Sequence, residues 1–332
     1  MLPYLLRRIG MAALVVFVAV SVNFMIPRLM PGDAVEQQLS AISAAGGQVG
    51  DIQAAAAALR ERYGLDRPLL TQYLDYLGHA ARLDLGVSIA HYPERVAEGV
   101  LASLPWTIGL LGTATLISFV VGTMLGGMLA WPGAPRALKV VALPLVVLSA
   151  VPYFMLGVVL LAIFGLAWPV LPVAGGFPFG HVPQADLQTT GLILYHAILP
   201  AASIVLASLG TWAVAMRGML VGVLGEDHIM LAEAKGLSPR RIFFAYGMRN
   251  ALLPQLTQLA LKLGLLVSGA ILVEVIFAYP GIGYRLYLAI GQKDLFVIQG
   301  IVLLLSISIA LVMLLLDLLY PLIDPRVTTR QA

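Results

Sequence analysis

Residues 9–27 read IGMAALVVFVAVSVNFMIP, and residues 295–316 read LFVIQGIVLLLSISIALVMLLL. Neither stretch holds a charged residue. Arg7, Arg8 and Arg28 flank the first, and Asp317 closes the second. A bilayer's hydrocarbon core is about 30 Å thick and takes about 20 apolar residues of helix to cross. Each stretch is long enough to cross it. The first exceeds the usual apolar core of a secretory signal and is followed by no Ala-x-Ala cleavage pattern, so it reads as an uncleaved first helix.

Four further runs lie between these two. Gly99 to Pro135 is charge-free, with its helix over Leu104 to Ala130. Val140 to Ala167 is a third span; beyond it Pro169, Pro172, Gly175, Gly176 and Pro178 break any helix. Leu187 to Met216 is a fourth and carries Pro200. Gln255 to Phe277 is a fifth, interrupted by Lys262 and Glu274. The pattern predicts an all-α polytopic membrane protein with six transmembrane helices. Composition agrees. The chain of 332 residues is 60% hydrophobic and 11% charged, where a soluble domain carries about 25% charged residues. A water-soluble enzyme and a disordered chain are both excluded on these grounds. With no cysteine, there is no disulfide framework, thiol nucleophile or cysteine-bearing zinc site.

Six spans put both termini on one side, and cytoplasmic loops are enriched in Lys and Arg. With the amino terminus inside, Arg7, Arg8, Arg136, Lys139, Arg217, Lys235, Arg240, Arg241, Arg249 and Arg326 are all internal, whereas the short outer loops hold only Arg285 and Lys293. Both termini are therefore expected in the cytoplasm. Three regions follow: a tail and first helix over 1–30, an external domain over 31–100, and a five-helix core over 101–332 whose cytoplasmic loop is 218–254. The external domain between the first two helices is expected to be helical over Asp51 to Arg62 and Leu69 to Leu83, with a break at Asp66-Arg67-Pro68.

The cytoplasmic loop carries the functional signal. Glu226 and Asp227 suit a helix start, where negative charge is favoured, and Gly236 with Pro239 suits its end. A short helix over about 226–238 would carry small residues at Ala232, Ala234 and Gly236 beside Glu233, Lys235, Arg240, Arg241 and Arg249. Small residues let another surface approach closely, so this is the profile of a lever that docks into a groove of a soluble protein.

With these pieces in place the chain resembles a permease subunit of a bacterial ABC importer, of the dipeptide, oligopeptide and nickel branch. The resemblance rests on Leu29-Met30-Pro31-Gly32-Asp33, Gly64-Leu65-Asp66-Arg67-Pro68-Leu69 and Asp84-Leu85-Gly86-Val87-Ser88. It continues through Ala232-Glu233-Ala234-Lys235-Gly236-Leu237-Ser238, Arg249-Asn250-Ala251-Leu252-Leu253-Pro254, Phe277-Ala278-Tyr279-Pro280-Gly281-Ile282-Gly283 and Asp324-Pro325-Arg326. Its departures are Ala34 in place of a proline, Met230-Leu231 where the general importer loop has Glu-Ala, His228 and Tyr246 where this branch often has Tyr and His, and Pro105-Trp106-Thr107-Ile108-Gly109 where a Pro-Ala-Thr-Leu-Glu-like helix start is common. The resemblance implies a division of labour. Two ATPase subunits would hold ATP and Mg, a sister permease would complete the pathway, and an external solute-binding protein would deliver cargo. It assigns ATPase coupling to Asp227, His228, Ala232, Glu233, Ala234, Lys235, Gly236, Leu237, Ser238, Arg249, Asn250 and Pro254. The cargo stays open among dipeptides, oligopeptides, nickel and glutathione.

The residues themselves add a few candidates. A charge at membrane depth is costly and faces a bundle interior or a wet cavity, so Glu274 is either a pathway or gate residue or a partner in an interhelical hydrogen bond. Pro280, Gly281 and Gly283 form a turn at the outer end of the fifth span and are candidate gate residues. Lys262 is expected to reach the inner surface, near Asp317. Gly122-x3-Gly126 and Gly218-x3-Gly222 are spacings that permit close helix contact. No Walker A pattern, Gly-x-Ser-x-Gly elbow or zinc-binding histidine spacing occurs. The chain is therefore expected to bind no cofactor or metal, to do no bond chemistry and to bind no nucleic acid. A stand-alone ion-coupled secondary transporter is the alternative; it would show internal repeats and broken helices at mid-membrane.

Overall fold

In the computed structural model, residues 2–29, 35, 39, 52–184, 186–266 and 271–323 are described. The Pro31-Gly32-Asp33 and Asp324-Pro325-Arg326 segments lie outside them, as does the side chain of Asp317. Among the described residues the regular elements are helices. They fall into two units, Met1–Pro105 with Gly281–Ala332, and Trp106–Pro280.

The first unit is built on α1 (Leu2–Leu29) and α13 (Leu295–Ile323), two long apolar helices packed along each other. Their buried face holds a polar clamp: Asn23 Nδ2 donates to the Gln299 carbonyl (2.9 Å) and to the Tyr76 hydroxyl (3.0 Å). Helices α2 (Ile52–Arg62) and α3 (Leu69–Ala81) follow α1, with Pro68 capping the start of α3. Both start within a residue of their expected positions. Polar contacts hold α3 on α1, Ser21 Oγ to the Tyr73 hydroxyl at 2.7 Å and Arg28 Nη2 to Gln72 Oε1 at 2.9 Å. Asp294 caps α13 and also accepts from Ser88 Oγ (2.5 Å) and the Ala90 amide (3.0 Å). Arg285 on α12 (Ile282–Gly291) pairs with Glu94 at 2.6 Å.

The second unit begins within α4 (Val96–Ala130), which starts eight residues before Leu104 and contains Pro105. Hydropathy marks membrane depth rather than helix length, so the helix outruns its apolar run. The third expected span is two helices, α5 (Arg136–Ser149) and α6 (Tyr153–Leu160), the latter continued by a wider π-type turn over Leu161–Ala167. The break falls before Pro152, which has no N–H to donate and restricts the residue ahead of it. Both α5 and α6 pack on α7 (Leu187–Leu224). Asp186 caps α7 by accepting from the Thr189 amide at 2.7 Å.

The fifth expected span is also interrupted. Helix α8 (Asp227–Ala234) and the single turn α9 (Pro239–Arg241) are followed by a π-type segment, Ile242–Met248, and then α10 (Arg249–Gly264). Residues 267–270 lie outside the described set, and α11 (Ile271–Ile276) follows. Among the described residues, four helices, or parts of them, are long and apolar enough to cross a membrane: Leu6–Ile26, Val96–Ala130, Leu187–Leu224 and Leu295–Leu315.

The two glycine pairs behave differently. A Cβ on Gly122 would sit 2.7 Å from Trp212 Cβ and 2.8 Å from the Leu209 carbonyl, and one on Gly126 would collide with the Ala213 backbone. These glycines are where α4 and α7 touch. Gly218 and Gly222 have no described atom within 4 Å of their Cβ positions.

Candidate functional site

The segment between α7 and α10 is a compact appendage. Helix α7 runs to Leu224, so the first residues of the expected loop are the end of that helix. The short helix is α8, eight residues long and shorter than the expected 226–238. Its end is set by Gly236, whose φ of +68° lies in the left-handed region that favours glycine. The Gly236 amide donates to the Glu233 carbonyl (2.8 Å) and the Leu237 amide to the Ala232 carbonyl (3.3 Å). This is a Schellman closure, in which the last carbonyls of a helix are satisfied by the two residues that follow its cap.

The seat of α8 is apolar. Ile229 and Ala232, each 2% exposed, pack with Ile242 against Trp131, Val223, Leu224, Leu237 and Tyr246. The π-type segment, which is wider than an α-turn, supplies Ile242 and Tyr246 to this seat. A polar strut adds to it: His228 Nε2 lies 3.1 Å from Asn250 Nδ2, and His228 Nδ1 lies 3.1 Å from Glu226 Oε2. Asn250 Nδ2 also donates to the Tyr246 carbonyl at 3.0 Å.

The structure thus sorts the residues singled out from sequence. Ala232 faces inward and seats the helix; it is not available to an incoming surface. Asp227, Glu233, Ala234, Lys235, Gly236, Ser238, Arg249, Asn250 and Pro254 are exposed, and His228 and Leu237 are half-buried. Two residues enter the sequence reading only as departures from the importer loop motif and not as contact residues. Met230 and Leu231, each 56% exposed, present an apolar ridge between those charges. Their signal was the registry of α8: once Ile229 and Ala232 face the core, 230 and 231 must face out.

A second group lies at the end of α4 that begins the second unit. Glu274 is fully buried, and Thr107 Oγ1 donates to its Oε1 at 2.8 Å, the geometry of an interhelical hydrogen bond. Nearby, Trp106 packs on Phe177 (5.9 Å between ring centroids) and edge-on to Tyr279 (5.5 Å). Gly176 fits against Trp106 and Pro280, where a Cβ would lie 2.6 Å from the indole and 3.0 Å from Pro280 Cγ. The Gly175 amide donates to the Phe277 carbonyl at 2.8 Å. The proline- and glycine-rich stretch after α6 is therefore folded onto the end of α11. Gly281 caps α12 and Gly283 is buried in its first turn. Lys262 is not in contact with a described carboxylate within ion-pair range; its ammonium lies 4.7 Å from the Trp212 ring centroid.

No group of three or more His, Asp or Glu side chains suited to a metal occurs among the described residues. What the arrangement offers is mechanical: a capped, seated helix on a charged loop, attached directly to α7 and α10.

Residues 122–329 match the family described as binding-protein-dependent transport system inner membrane component. The chain belongs to this family, and is a multi-pass membrane permease component. It is 36% identical over 341 residues to the di/tripeptide transport system permease protein DppB of Pseudomonas aeruginosa, covering 98% of this chain and 99% of that protein. It is 32% identical over 346 residues to the dipeptide transport system permease protein DppB of Escherichia coli K12, and 28% identical over 328 residues to the oligopeptide transport system permease protein AppB of Bacillus subtilis, each match covering 98% of this chain and 99% of the other. The likeness read from the motifs, to the dipeptide and oligopeptide branch of ABC importer permeases, therefore holds.

Proposed function

We propose that this chain is one of two permease subunits of an ABC importer for short peptides, and that α8 is the handle by which ATPase subunits move it. The observation that carries this reading is α8 itself. It is closed by Gly236, seated by Ile229 and Ala232, and exposes Met230 and Leu231 beside Glu233 and Lys235. Two exposed apolar side chains within a charged rim are suited to a groove on a soluble protein. Because α8 is joined to α7 by Gly225 and Glu226 alone, a push on it is delivered to a membrane helix. Rigid-body rocking of packed helices then gives alternating access.

In this reading six spans cross the inner membrane, with the interrupted third and fifth among them, and both termini are cytoplasmic. ATP and Mg belong to two ATPase subunits, cargo arrives on an external solute-binding protein, and the region around 31–100 faces it. The Gly218 and Gly222 face of α7, free of described neighbours, suits close approach by a sister permease. Peptide cargo is favoured because the relatives over the full chain length are named for it; nickel and glutathione have no such support.

The test is reconstitution in proteoliposomes. The chain alone should neither accumulate a radiolabelled dipeptide nor hydrolyse ATP, and should do both when its ATPase, sister and binding-protein subunits are added. Leu231→Asp should then abolish uptake. Uptake by the chain alone under an imposed proton or sodium gradient would establish the secondary-transporter reading instead.

A further inference from the structure

Within the first unit, a cleft of about 270 Å³ opens where α1, α3 and α13 meet, lined by Arg28, Arg62, Arg67, Tyr76 and Gln299 among others. Its charges are not balanced. Three arginines, Arg28, Arg62 and Arg67, face two carboxylates: Asp75, 3.2 Å from Arg67, and Asp84, which accepts from the Gly86 amide at 3.2 Å and lies 3.0 Å from His79 Nδ1. Arg28 has neutral partners: the Phe24 carbonyl at 2.8 Å, Gln72 Oε1 at 2.9 Å and the Phe24 ring beneath it at 3.5 Å. Arg62 bonds the Tyr92 hydroxyl and lies 4.2 Å from that ring's centroid. Among the described residues neither guanidinium meets a carboxylate. Gln299, 5% exposed, lines the same cleft with its Nε2 buried and unpartnered. A buried N–H without an acceptor is costly, and two arginines and an amide around one cleft are complementary to an oxyanion.

A second, wholly apolar groove of about 550 Å³ runs between α1 and α13, lined by Ile9, Val16 and Val20 on one side and Leu303, Ile307 and Leu314 on the other. Ala80 and Leu303 line both cavities, so the two adjoin. From Ile9 to Val20 the groove follows α1 for about 16 Å at about 1.5 Å per residue. Half of a hydrocarbon core is about 15 Å. The groove thus has the length of one acyl chain, its Val20 end nearest the cleft and its Ile9 end running toward Arg7 and Arg8.

We infer that this cleft and groove together bind an anionic glycerophospholipid, its phosphate held by Arg28, Arg62 and Gln299 and one acyl chain lying between α1 and α13. A free phosphate would leave the groove unused. A zwitterionic lipid is disfavoured because Asp75 and Asp84, the acidic side chains lining the cleft, are already engaged. The inference rests on α1 and α13 crossing the membrane, and not on the cargo or the ATPase coupling.

Native mass spectrometry of the full chain in mild detergent tests it, with phosphatidylglycerol, phosphatidylethanolamine and glycerophosphoglycerol as probes. Phosphatidylglycerol should be retained about tenfold better than phosphatidylethanolamine, and the chain-free headgroup should not be retained. Arg62→Gln, at an exposed position that folding tolerates, should lower phosphatidylglycerol retention about tenfold, and Ile307→Trp should lower it by filling the groove. Equal retention of the two lipids, or retention unchanged in both Arg62→Gln and Arg28→Gln, would overturn the site. Retention of glycerophosphoglycerol as strong as that of the lipid would reduce it to an anion site and overturn the acyl-chain part. Protease accessibility of Arg60 and Arg62 in sealed vesicles reports the membrane topology separately, so the two readings fail independently.

Discussion

His228 and Asn250 stand 22 residues apart in the chain and meet at 3.1 Å, Asn250 Nδ2 facing His228 Nε2. The contact joins α8 to the first turn of α10 and so ties both ends of the appendage between α7 and α10 into one piece. The handle proposed for α8 works only if it does not bend when pushed. This strut and the apolar seat beneath it supply that stiffness.

His228→Ala removes the strut and leaves the seat of Ile229 and Ala232 intact. Uptake per ATP hydrolysed, measured in proteoliposomes, should fall several-fold while the chain's thermal stability changes little. His228→Gln, which can still accept from Asn250, should recover part of it. Equal coupling ratios in wild type and His228→Ala would remove the strut from the mechanism.

At Gly236 the left-handed backbone, not crowding, forbids a side chain: no described atom lies within 4 Å of a Cβ there. Gly236→Ala should therefore cost about 1 kcal/mol of local stability and loosen the Schellman closure. Amide exchange at Leu237 reads this directly and should quicken. Gly236→Trp adds bulk at the docking face and should abolish transport.

The bond from Thr107 to Glu274 is buried. Thr107→Val removes the donor and Glu274→Leu the acceptor, and a double-mutant cycle on detergent-solubilised protein should give a coupling of about 1 kcal/mol, the scale of interhelical hydrogen bonds in membrane proteins. A residue that also lines the pathway should change transport beyond this stability effect. Transport kinetics of Glu274→Gln, normalised to folded protein, make that separation.

The contrast between the glycine pairs is testable. Gly126→Leu drives a side chain into the Ala213 backbone and should destabilise the chain by about 1–3 kcal/mol or more. Gly222→Leu should leave the isolated chain unchanged in thermal melts. Loss of assembly with the sister permease in Gly222→Leu would locate that contact.

Asp84 holds the turn that follows α3. The Gly86 amide and then the His79 side chain keep its carboxyl below the ordinary value of 3.8. A depressed carboxylate stabilises the fold above its unfolded value and loses that contribution as pH falls through the folded one. Amide exchange at Gly86 should be slow at neutral pH and accelerate below about pH 4 beyond the intrinsic rate. Asp84→Asn should abolish this pH dependence.

Much of the helical scaffold was legible because helix signals are local. Apolar length marked the four long helices, Pro68 marked the start of α3, and Gly236 marked the end of α8, each through the conformation its own backbone permits. The same locality hid the interruption of the third expected span, because a hydropathy count runs straight through the turn at Ala150 and Val151 ahead of Pro152.

By itself the sequence determined a membrane-embedded helical chain with one charged appendage between α7 and α10, since burial in lipid and the ends of helices depend on short stretches of chain. Tertiary structure decided which face of that appendage is free. Ala232, selected from sequence as a contact residue, turned inward, while Met230 and Leu231 turned out. That outcome depends on Ile242 and Tyr246 arriving from beyond the turn. It decided likewise that Gly126 is packed and Gly222 is not, because identical spacings differ only in what the neighbouring helix brings against them.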